Sequence, residues 1–199
     1  MVSSRLKKKF EGWAAPRMGA LASMGLTPNA MTLLGFVAST AAALCYLNWR
    51  LNRLMLPAAA ALILLSGLID ALDGVLARTR GMASAFGGFL DSVTDRYSDV
   101  VVLAAVTVAG LCDPVWGLAA VVGSLMVSYA RARAEAAGVG MASVGLAERA
   151  ERMLLLAAVT LISCFRLEAL SWGVMLLAVL SHLTVLQRAL YFFGEIGKQ

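Results

Sequence analysis

The chain has 199 residues, 60% of them hydrophobic and only 15% charged, with a mean hydropathy of +0.80. That charged share is far below the roughly 25% of an ordinary soluble domain, so a water-soluble globule is excluded and a polytopic membrane protein is indicated. The formal charge of +5 comes from Lys and Arg set between apolar runs rather than along one face, which points to anionic lipid headgroups or phosphorylated substrates and away from nucleic acid.

Residues 1–21 read as a juxtamembrane unit. Within it, over 4–21, Leu6, Phe10 and Trp13 recur at helical spacing among Arg5, Lys7, Lys8, Lys9 and Arg17, the pattern of an amphipathic helix lying in the membrane interface. The first uncharged run, 18–49, is too long for a signal core and is interrupted by Thr27, Pro28 and Asn29, so no cleavable signal peptide is expected. Residues 22–199 then form one all-α membrane domain with six spans. Pro28 suits a helix's first turn with Thr27 as its cap, and the first span runs from there to Trp49. The second begins near Leu54; its apolar part, 55–69, is about a turn short, so its charged end must continue as helix. The third apolar run, 100–112, reaches spanning length only if its helix starts near Phe86 and carries Asp91, Asp95, Arg96 and Asp99 inside it. Spans four to six read as 115–130, 153–165 and 171–193.

Six spans put both termini on one side. That side holds 13 Lys and Arg, against Arg50, Arg53 and Arg166 opposite and Arg96 within span three, so the termini are expected in the cytoplasm of a cell-membrane protein. Trp49, Trp116 and Trp172 fall at the extracytoplasmic ends as interfacial anchors. Cys45, Cys112 and Cys164 lack any paired spacing and read as small buried hydrophobes, and His182 as a helix-contact residue.

The chemistry concentrates in residues 70–95, DALDGVLARTRGMASAFGGFLDSVTD. Four carboxylates on two short membrane segments are costly to desolvate unless they bind cations or line a wet cavity. Asp70 and Asp73 are three apart and Asp91 and Asp95 four apart, so each pair shares a helix face, and a short turn returns helix three antiparallel beside helix two. The convergent site is a hard-cation site: oxygen ligands without His or Cys point to Mg²⁺, Mn²⁺ or Ca²⁺, and two such ions can clamp a pyrophosphate. Gly74, Gly87 and Gly88 remove bulk beside the acids, and Arg78 can meet phosphate oxygens as a fork. Cation transport is the reading from another class, but it requires acids spread in depth over several helices, whereas here they cluster at one end of two.

The spacing D-x2-D-G-x2-A-R-x8-G-x3-D-x3-D, met by Asp70, Asp73, Gly74, Ala77, Arg78, Gly87, Asp91 and Asp95, resembles the signature of the CDP-alcohol phosphotransferase family. The resemblance implies a six-helix membrane enzyme, a homodimer among membrane lipids, that displaces CMP from a CDP-linked lipid with an alcohol acceptor. It also implies two divalent metals, Mg²⁺ or Mn²⁺, held by Asp70, Asp73, Asp91 and Asp95, with Asp95 as the base. An alcohol is a weak nucleophile, so a carboxylate in reach of its proton fits that role.

Three further segments, GLTPNAMTLLG, SYARARAEAAG and GLAERAER, resemble the family's inositol phosphate branch, which makes phosphatidylinositol phosphate or its archaeal ether-lipid equivalent. By that resemblance Asn29, Ala30, Met31 and Thr32, with Gly74, Arg78 and Ser84, hold the CDP moiety. Arg131, Arg149, Arg152 and Arg188 grip the phosphate of the acceptor, a phosphorylated polyol, with inositol 1-phosphate first and glycerol 3-phosphate as the alternative. Arg131 stands where that branch commonly carries lysine. Cytoplasmic arginines are also expected from topology alone, with Glu135, Glu148 and Glu151 as available partners, and Asp99 is left without an assigned role.

Overall fold

Thr27 accepts the Ala30 amide at 3.2 Å and Pro28 fills the first turn, which starts helix α1, Pro28–Leu47. The computed structural model describes residues 11–12, 14–18, 25–142 and 144–196. Five further helices follow: α2 (Met55–Thr79), α3 (Ala85–Val108), α4 (Pro114–Ala136), α5 (Arg149–Ser163) and α6 (Glu168–Ile196). There is no strand among the described residues. As expected, α2 runs on as helix through Asp70 and Asp73, and α3 begins well before its apolar run. Ser84 caps α3 by accepting the Gly87 amide at 3.0 Å, and Asp113 caps α4. Gly110, at φ +71°, sits just beyond α3, so that helix stops short of the expected Cys112.

Four helices, α1, α2, α4 and α6, are long and apolar enough to cross a membrane. The other two expected spans fall short for physical reasons: α3 carries Asp91, Asp95, Arg96 and Asp99, and α5 has only 15 residues. The interfacial helix expected over 4–21 lies largely outside the described residues, and Leu6, Phe10 and Trp13 are not among those described. Within that stretch Ala15–Arg17 forms one 3₁₀ turn, and Ala14 and Met18 are buried against Met31, Val75 and Leu76.

Broad helix contacts join α1 to α2, α2 to α5, α5 to α6, α6 to α4, α4 to α3 and α3 back to α1. That order closes a ring. Helix α3 therefore does not lie broadly along α2, as the short turn between them led us to expect; each flanks α1, and they face one another across the interior. One end of the ring is filled by Tyr46, Leu56, Ile63, Leu103, Val106, Leu170 and Leu177 with small alanines between them. There the Tyr46 and Thr160 hydroxyls hydrogen-bond at 2.5 Å, and Trp49 Nε1 donates to the Ala109 carbonyl at 3.2 Å. A Cβ added to Gly123 would lie 2.8 Å from Ser181 Cβ, so α4 and α6 meet at a contact that needs glycine. His182 reaches the Ala119 carbonyl across the same pair of helices, the contact role expected of it. Of the cysteines only Cys112 is buried; Cys45 is half-buried and Cys164 exposed, because the surface of these helices is itself apolar.

Candidate active site

The opposite end of the ring holds the acids. Helix α2 supplies Asp70 and Asp73, and α3 supplies Asp91 and Asp95 one turn apart. Oxygens from Asp70, Asp91 and Asp95 lie within 4.8 Å of one another, so three of the four signature carboxylates converge across the gap between α2 and α3. Asp73 lines the same cleft with Asp70, Asp95, Thr94, Ser98 and Arg149, but stands outside the tight triad, where its Oδ2 accepts from the Thr32 hydroxyl at 2.7 Å.

The four arginines expected at an acceptor phosphate divide between different partners. Arg149 Nη1 stands 3.0 Å from Asp70 Oδ2 and 2.9 Å from Asp95 Oδ1, and its Nε is 3.5 Å from Asp99 Oδ1. Arg152, one turn on, donates to Asp99 Oδ2 at 2.8 Å and to the Ala147 carbonyl at 3.1 Å. Arg188 is 3% exposed and donates from Nε to the Val144 carbonyl at 2.8 Å and from Nη1 to the Val127 carbonyl at 2.5 Å. Arg131 is exposed and pairs with Glu135, one turn along α4, at 2.9 Å, the partner that topology alone made available.

The residues expected around the nucleotide gather at the start of α1 and its neighbours. Thr32 reaches Asp73, as above. Asn29 stands close to Gly87, where an added Cβ would come within 3.0 Å of Asn29 Oδ1 and 3.1 Å of Ser84 Oγ; the glycine lets α3 approach α1. Gly74 leaves room for the Arg78 guanidinium, whose Nη1 would be 3.2 Å from a Cβ there. Arg78 itself pairs with Glu11 at 2.6 Å. Ala30 is engaged through its amide in the helix cap, and the Met31 side chain is buried in apolar packing. Ser84 spends its hydroxyl on the α3 cap.

Two participants have no role assigned from the sequence: Asp99, whose partner the sequence leaves open, and Ser66. Asp99 is the common partner of Arg149, Arg152 and Ser124, whose hydroxyl donates to it at 2.7 Å. Its continuation of the four-residue spacing was the available signal. Ser66, on α2, donates to the Gly35 carbonyl at 2.9 Å and hydrogen-bonds Ser39 at 2.8 Å, fixing α2 against α1 just below Asp70. Neighbouring residues carried no hint of it.

This donor set suits a hard divalent ion such as Mg²⁺ or Mn²⁺, since every ligand atom in the triad is a carboxylate oxygen. Asp91 Oδ1 is buried and has no hydrogen-bond partner, and Arg149 Nη1 makes its two short charge contacts without hydrogen-bond alignment. Buried polar groups left in that condition fit a site that takes up an ion.

Known proteins resemble this chain in sequence and fold. The model of the CDP-alcohol phosphatidyltransferase family matches residues 25–185. The archaetidylinositol phosphate synthase of Pyrococcus horikoshii is 40% identical over 168 residues, 84% of each chain. The crystal structure of Mycobacterium tuberculosis phosphatidylinositol phosphate synthase with CDP-DAG bound superposes with a TM-score of 0.78 at 34% identity, covering 90% of this chain and 93% of that one. The same mycobacterial enzyme in complex with manganese and citrate gives 0.77 at 34% identity, over 90% and 88%. A family match across most of the chain, with the signature carboxylates brought to one point, leaves one conclusion: the chain belongs to the CDP-alcohol phosphatidyltransferase family.

Proposed function

We propose that this protein transfers the phosphoryl-lipid group of a CDP-linked lipid to a hydroxyl of inositol 1-phosphate, releasing CMP. The observation that carries the proposal is the meeting of Asp70, Asp91 and Asp95 within 4.8 Å, with Arg149 against two of them. The acceptor is supported by the archaetidylinositol phosphate and phosphatidylinositol phosphate synthases among its relatives.

In this reading Asp70, Asp73, Asp91 and Asp95 hold two divalent ions, Mg²⁺ or Mn²⁺. Bound there, the ions supply charge neutralisation at the pyrophosphate oxygens. Asp95 takes the proton of the attacking hydroxyl: the acceptor oxygen bonds to the lipid-side phosphorus, the P–O bond to CMP breaks, and CMP leaves with that electron pair. Asn29, Ala30, Met31, Thr32, Gly74, Arg78 and Ser84 border the nucleotide, with Ala30 and Met31 contributing backbone and shape and Arg78 exchanging Glu11 for phosphate. Arg149, Arg152 and Arg188, with Arg131 at the rim, orient the acceptor's phosphate.

All six helices are then membrane-embedded. Helices α3 and α5 are shielded by their neighbours, both termini and the site face the cytoplasm, residues 1–21 lie in the interface, and the enzyme works as a homodimer. The charge asymmetry of the connecting segments supports that orientation. The deciding experiment measures CMP released by the detergent-purified protein from a CDP-linked lipid, with inositol 1-phosphate, glycerol 3-phosphate or unphosphorylated inositol and with Mg²⁺ or Mn²⁺. Release with inositol 1-phosphate alone is the expected result; turnover with glycerol 3-phosphate instead, or with no divalent ion, overturns the proposal.

A further inference from the structure

We infer that Asp99 is a positioning residue that shares the charge of Arg149 with Asp70 and Asp95, giving the guanidinium a third partner and so keeping those two carboxylates available to a divalent ion. The inference rests on the metal-site reading above. Arg149 is shared: Nη1 faces Asp70 Oδ2 at 3.0 Å and Asp95 Oδ1 at 2.9 Å, while Nε faces Asp99 Oδ1 at 3.5 Å on the other side. A guanidinium closely paired with two ligand carboxylates competes with a metal for the same oxygens. A third carboxylate drawing on its far edge weakens that competition.

Asp99 is built as a fixed post for this purpose. It lies one turn beyond Asp95 on the same face of α3, so post and site move as one body. Its other oxygen is secured by two donors that make no bond to the ligand carboxylates, Ser124 of α4 at 2.7 Å and Arg152 of α5 at 2.8 Å. Arg152 is in turn held by the Ala147 carbonyl at 3.1 Å, and Ser124 is buried. Asp99 thus joins three helices and the segment leading into α5, and Arg149 is the partner it shares with the ligand carboxylates.

The test is Mn²⁺ binding to the full purified chain without substrates, read by the paramagnetic resonance of free Mn²⁺, for wild type, Asp99→Asn, Arg149→Gln and the double variant. Asp99→Asn is expected to weaken Mn²⁺ binding by about tenfold, and Arg149→Gln, which removes the competing cation, to tighten it. In the Arg149→Gln background the Asp99→Asn change should shrink to about a third or less of its wild-type value. A change of equal or greater size in that background overturns the inference, because a through-space charge effect or a role confined to Arg152 needs no Arg149. Should Asp99→Asn fail to fold for lack of a partner to Arg152, Asp99→Asn/Arg152→Gln, with and without Arg149→Gln, is judged by the same criterion. Wild-type protein that binds no Mn²⁺ would overturn the metal-site reading itself, and this inference with it.

Discussion

The two ends of the helix ring solve opposite problems. At the end around Tyr46 and Trp49 the Tyr46 and Thr160 hydroxyls and the Trp49 N–H are neutral and paired, and small residues let the helices close on one another. Around Asp95 the groups are charged, and several keep capacity unspent: Asp91 Oδ1 lacks a hydrogen bond, and Arg149 touches two carboxylates without aligning with either. The acidic end keeps buried polar atoms without hydrogen-bond partners, which suits the ions and phosphates it is proposed to accept.

If that division is correct, perturbations at the acidic end should cost activity and leave stability nearly intact, and perturbations at the apolar end should do the reverse. The largest expected effect is chelation: EDTA should abolish CMP release, Mg²⁺ or Mn²⁺ should restore it, and the helical circular dichroism signal should not change in between. Next, Asp95→Asn should lower kcat by about 10²- to 10⁴-fold, the range for a lost general base, with a melting temperature close to wild type. At the other end, Gly173→Ala, between the core residues Leu170 and Val174 of α6, forces a Cβ to within 2.8 Å of Val159 Cβ on α5 and should destabilise by about 1–3 kcal/mol in thermal or denaturant unfolding. The smallest effect belongs to Tyr46→Phe, which deletes one buried hydroxyl pair and should cost about 1 kcal/mol with kcat unchanged. An Asp95→Asn protein that melts far below wild type, or a Tyr46→Phe protein that loses turnover, would break the division between the ends.

Much of this was readable one residue at a time. Thr27 and Pro28 marked the start of α1, the short apolar run before Asp70 required α2 to continue, and the spacing of Asp70, Asp91 and Asp95 put their side chains on usable faces. Spacing along a helix determines which residues share a face, but not which helix that face meets. The ring order therefore escaped, with α2 and α3 divided by α1 and α5 supplying Arg149 to the acids. The four arginines looked equivalent as basic residues near one end. Only the fold separates Arg131, spent on Glu135 at the surface, from Arg188, buried among backbone carbonyls.

Arg188 shows what a planar cation can do that a point charge cannot. Its Nε and Nη1 are anchored on two separate stretches of chain, the Val144 carbonyl before α5 and the Val127 carbonyl inside α4. Two anchors on a rigid plane dictate the direction of the remaining edge, so in the proposed role Nη2 is aimed before the acceptor arrives. A lysine ammonium at this position would keep the charge and lose the aim, trading a directed donor for one that must search for its target.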